Sequence, residues 1–62
     1  MAFTAKQKLA AADREVMQRM RVYPRLIRDG KMSRREADFQ TDIMRAIAED
    51  YHVIVLREEH KS

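Results

Sequence analysis

The residues that could do chemistry in this 62-residue chain are mostly guanidinium groups. Arg21, Arg25, Arg28, Lys31, Arg34 and Arg35 crowd around the single glycine, Gly30, and close to the single proline, Pro24. At ~100° per helical step, Arg14, Arg21, Arg25 and Arg28 fall on the side away from the apolar residues of the same segment. Lys31, Arg34 and Arg35 carry the positive charge around a corner. A line of this kind could follow a phosphate backbone, with affinity that falls steeply as salt rises. Glu15, Asp29 and Glu36 dilute the field, and no aromatic side chain is placed to stack on bases. A solvated basic face accounts for the same residues. A helix-turn-helix with Arg34 and Arg35 opening a recognition helix would need two short helices and a third element. The segments here are long and no third is evident, so nucleic acid is the alternative partner and not the favoured one.

The carboxylates give a second candidate. Asp38, Asp42 and Glu49 share a polar face with Arg45 among them, the pattern of a solvated face with a local ion pair. Carboxylate metal sites in helical bundles pair a Glu with a His three residues later on one helix. No such pair is expected on either helix here. His52 and His60 match no metal spacing, and the absence of cysteine excludes disulfides and thiolate sites. Ser33 is the best-placed hydroxyl for a nucleophile, but a helix cap already uses it. No phosphate loop or nucleophile elbow occurs. Tyr23 and Tyr51 sit on apolar stripes, with no neighbour that sequence can assign to perturb them. The expectation is a protein that is not an enzyme, with no catalytic, cofactor-binding or metal-binding residues.

The elements that position these side chains follow from caps and periodicity. Thr4 with Gln7 fits a capping box, so a helix should begin at about residue 5. Leu9, Ala12, Val16, Met20, Tyr23 and Ile27 fall within roughly 80° of one another. That stripe runs through Pro24 in phase. Proline in a helix removes one backbone hydrogen bond at about 3 kcal/mol, and it biases Tyr23 away from helical geometry. The expectation is one helix to about Asp29, kinked at Pro24, with a break near Tyr23 as the alternative. Gly30 suits the left-handed residue that closes a helix. Ser33 with Glu36 caps the next one, and Met32 with Ala37 occupies the positions of a hydrophobic staple. The second helix is expected over residues 34–51, with a corner at 30–33. The tail, 52–62, holds Val53, Ile54, Val55 and Leu56, which fit a helix, a strand or an arm. Its last six residues have the character of a solvated end.

On the second helix Ala37, Met44, Ala48 and Tyr51 form a stripe. Phe39, Ile43, Ala46 and Ile47 widen it to an arc of roughly 200°, where a core-facing stripe needs little more than 100°. Leu26 and Val22 broaden the first helix likewise. Two helices joined by a short loop cover each other along one seam. A chain of this length buries only about 60% of its unfolded surface and commonly needs added support. The expected fold is therefore one all-α domain, an antiparallel helical hairpin assembled as a homo-oligomeric helix bundle, with a dimer favoured. Leu9, Val16, Met20, Leu26, Ile27, Phe39, Ile43, Met44 and Ile47 would build the hairpin and subunit interfaces. Met17 lies off the stripe, and the methionines suit gap-filling.

Charge is uneven along the chain. Residues 1–12 carry +2, residues 13–36 carry +4 and residues 37–62 carry −3, within a net +3. No apolar run approaches the ~20 residues of a membrane span, and the first residues lack the pattern of a signal peptide. A cytoplasmic, non-membrane protein is the expectation.

Arg21-Val22-Tyr23-Pro24, Gly30-Lys31-Met32-Ser33, Ala37-Asp38, Ile43-Met44-Arg45-Ala46-Ile47-Ala48 and Asp50-Tyr51 together resemble short proteins encoded in bacteriophage and prophage genomes. The resemblance implies a phage or prophage origin and a role inside a bacterial host. It carries over no functional residue. The expected function is a non-enzymatic, self-associating interaction protein that binds a host or phage protein. A nucleic-acid-binding protein and a purely structural homo-oligomer are the alternatives.

Overall fold

The structure, a computed structural model, describes residues 2–61. Two helices, α1 (Ala5–Arg28) and α2 (Arg34–Lys61), pack against each other as an all-α hairpin with extents of 49 × 21 × 17 Å. No strand occurs among the described residues.

Local chemistry sets both inner ends of the hairpin and the start of α1. The Thr4 hydroxyl accepts from the Gln7 amide at 3.0 Å, and Gln7 Oε1 accepts from the Thr4 amide at 2.9 Å. A cap of this kind contributes about 1 kcal/mol. α1 then runs unbroken through Pro24, so the alternative of two shorter helices does not hold. The helix tolerates the missing amide because Tyr23, Leu26 and Ile27 on either side of it are held against α2.

At the corner the Gly30 amide donates to the Ile27 carbonyl at 3.1 Å, and the Lys31 amide donates to the Leu26 carbonyl at 2.9 Å. These are the two bonds of a Schellman ending, with Gly30 at φ +72°. The Ser33 hydroxyl accepts from the Glu36 amide at 3.0 Å and opens α2. Met32 is half-buried and Ala37 is buried, the two positions that a hydrophobic staple pairs. A Cβ on Gly30 would meet nothing within 4 Å, so its substitution is a test of backbone conformation alone. Gly30→Ala should cost about 1 kcal/mol in a thermal melt followed by circular dichroism, and Gly30→Asn should cost less, since Asn visits the left-handed region more readily. An alanine variant that melts with the parent would show that the corner does not need positive φ.

The second helix departs from expectation at its end. α2 continues past Tyr51 to Lys61, so residues 52–61 are helix and neither strand nor arm. The reason is packing: Val55 is buried and lies four residues beyond Tyr51 in the phase of the seam. No Gly or Pro stands after residue 51 to stop the helix. Residues 57–60 are exposed, as expected; Ser62 lies outside the described residues.

The seam itself alternates steps of four and three. Ala5, Leu9, Ala12, Val16, Arg19, Tyr23 and Leu26 face α2, and Ala37, Thr41, Met44, Ala48, Tyr51 and Val55 face α1. This is coiled-coil spacing, which keeps one line of each helix against the other along the whole rod. Arg19 reaches Gln40 and Lys8 reaches Tyr51, so the helices are antiparallel and Ala12 lies at the level of Ala48. Ala12, Ala37, Ala48 and Val55 are the buried apolar residues among those described, and no large side chain is fully buried. Small residues let the helices close, but the hairpin's own core is thin.

Candidate functional site

Packing along one seam leaves the sides of the hairpin to be explained. On α2, Phe39, Ile43, Ile47 and Ile54 are 60%, 45%, 38% and 38% exposed. Measured at ~100° per residue, they project about 90° to 160° away from the seam, on one side of it. Ala46 borders this stripe and Asp50 interrupts it. From Phe39 to Ile54 the stripe is ~22 Å long at 1.5 Å per residue. On the same side of α1 stands Val22, also exposed. Contiguous exposed apolar side chains on a small protein mark a contact surface more often than a bare one.

Polar groups close the seam along this side. Arg19 Nη1 donates to the backbone carbonyl of Gln40 at 2.6 Å, and Arg19 Nε pairs with Glu15 at 3.0 Å. The Arg19 side chain is only 18% exposed. Lys8 Nζ stands 5.5 Å from the Tyr51 ring centre, in reach of a cation–π contact. The sequence stripe has Met20 facing α2. The structure instead seats Arg19 in the seam and leaves Met20 49% exposed on the other side. The four-three spacing between Val16 and Tyr23 passes through residue 19, and the long arginine stem fills the space an apolar residue would take.

The opposite side carries a shallow groove in which Met20, Pro24 and Ile27 of α1 face Asp38, Asp42 and Arg45 of α2. Arg45 reaches Asp42 Oδ1 at 3.9 Å and Met20 Sδ at 3.4 Å. Asp38, Asp42 and Glu49 are exposed, in keeping with a solvated acidic face. Because α2 includes residue 52, Glu49 and His52 do form a Glu-x-x-His pair on one helix, 4.0 Å apart. The expectation that neither helix carries such a pair is thereby corrected. The pair stands alone: no group of three metal-ligating side chains occurs among the described residues.

The outer face of α1 is the second surface. Arg14, Arg21, Arg25 and Arg28 are all exposed there. Arg28 lies 4.0 Å from Asp29. Lys31, Arg34 and Arg35 are exposed at and beyond the corner; Arg34 turns toward the acidic groove, whereas Arg35 points away from α1. The six cations singled out in sequence thus form no single patch. Of the expected interface residues, Leu9, Val16, Leu26, Ile27 and Met44 are half-buried between the helices. Phe39, Ile43 and Ile47 lie outside the seam.

No helix among the described residues is long and apolar enough to cross a membrane. Comparison with protein-family models, with curated proteins and with solved structures gave no match.

Proposed function

We propose that this chain is a non-enzymatic interaction module that self-associates through the apolar side of α2 and presents the basic outer face of α1 to a partner. The observation that carries the proposal is the exposed stripe of Phe39, Ile43, Ile47 and Ile54 beside a seam whose buried residues are three alanines and one valine. A hairpin with so little core gains stability by covering that stripe, since association adds directly to the folding equilibrium. The resemblance to phage and prophage proteins suggests the cytoplasm of a bacterial host, and a host or phage protein as the further partner.

A second reading rests on the arginines of α1. Arg14, Arg21, Arg25 and Arg28 line one exposed face, which suits a nucleic-acid backbone. One experiment separates the two: light scattering of the full chain, alone and with a short duplex DNA, at low and high salt. Self-association without duplex, at a mass above the 7.4 kDa of one chain, is the expected result. A single-chain mass at every concentration would end the proposal. Duplex-dependent mass that collapses with salt would put the second reading in its place.

A further inference from the structure

We infer that the exposed stripe of α2 seats a second copy of this chain, with the two α2 helices antiparallel about a two-fold axis beside Ala46 and Ile47. The inference rests on the proposed self-association and adds its geometry. The stripe is centred on Ala46 and Ile47, so antiparallel pairing about that centre overlaps it completely. Phe39 then lies at the level of Ile54 of the second copy, and Ala46 at the level of Ile47. Two-fold contacts of this kind are self-complementary and closed, which limits assembly to a dimer.

Charge chooses the direction. In this register Glu36 lies opposite Arg57 of the second copy, a pair that occurs twice by symmetry. Both side chains are exposed and make no ion pair among the described residues. A parallel pairing would instead set Glu36, Asp50, Arg57 and Glu58 each against its own copy, and like charges in contact disfavour a complex. Asp50 falls opposite Ile43 in the antiparallel pair. That is the one poor match, and it keeps the two Asp50 carboxylates apart.

The same register supplies a test that does not depend on breaking the fold. Residues 36 and 57 are ~32 Å apart along one helix, so compensation between them acts only between copies. Dissociation constants would be measured by sedimentation equilibrium at low salt, with a melt on each variant. Arg57→Glu should weaken the dimer about tenfold, and the exchange Arg57→Glu with Glu36→Arg should restore it to within about threefold. Asp50→Leu, which replaces the misplaced carboxylate with an apolar contact to Ile43, should tighten the dimer tenfold or more, on the order of one buried side chain. A dimer that shows neither the rescue nor the tightening would overturn this register and leave self-association standing. A parent chain that stays single at millimolar concentration would overturn both.

Discussion

Ala48→Leu will destabilise the hairpin by about 2–3 kcal/mol, the range of an over-packed core. Ala48 is buried and lies at the level of Ala12, also buried, where the two helices come together over small side chains. A leucine there meets Ala12 across the close approach, and only the part of it that turns toward the shallow groove bordered by Leu9, Asp13 and His52 finds room. The helices must separate, and the separation loosens Leu9, Val16 and Met44 on either side. A domain of this size rarely has more than about 3–5 kcal/mol from its core, so most of the folded population should be lost at 37 °C. The melting temperature by circular dichroism should fall by roughly 10 °C or more. Ala10→Leu is the control: Ala10 is exposed on the outer face of α1, and its change should stay within about 0.5 kcal/mol. Equal melts for the two leucine variants would show that the helices do not close at Ala48.

Val55→Asp should be comparably damaging, at about 2–4 kcal/mol, because it places a carboxylate in the seam with no partner. Val55 is buried although it lies only seven residues from the chain's last residue. The neighbouring Val53 is 39% exposed and projects away from the seam, so Val53→Asp should be nearly neutral. The pair of variants reads out whether the end of α2 is part of the folded unit. A detached arm or a frayed helix would make the two aspartates equivalent. Urea denaturation gives the free energies, and the difference between the two midpoints is the quantity that decides.

The two variants also separate what was legible in the residues from what was not. The Thr4 cap, the Gly30 ending and the Ser33 cap were all readable, because each is an exchange of hydrogen bonds within a few residues and depends on nothing distant. The hairpin followed from them, since a tight corner between two amphipathic helices leaves little choice but antiparallel packing. The exposure of Phe39, Ile43 and Ile47 was legible too, as an arc too wide for one partner helix. Arg19 was not. Residues 19 and 20 differ by ~100° around the helix, and apolar character favoured Met20. A signal was present in the four-three spacing of Val16, Arg19 and Tyr23, but it is weaker than a preference for a hydrophobe.

The sequence by itself therefore determined the number of helices, where α1 begins, how the corner closes and that apolar area would be left over. Those properties come from short-range bonds and from the angular count of one helix. Only the tertiary structure decided that α2 extends to Lys61, that Arg19 enters the seam, and that Phe39, Ile43, Ile47 and Ile54 stay uncovered on one side of α2 while Leu56 stays exposed on the other. Each of these depends on where the other helix lies. Val55 is held in helix because α1 is there to bury it, and Arg19 is tolerated because the Gln40 carbonyl is there to accept its hydrogen bond.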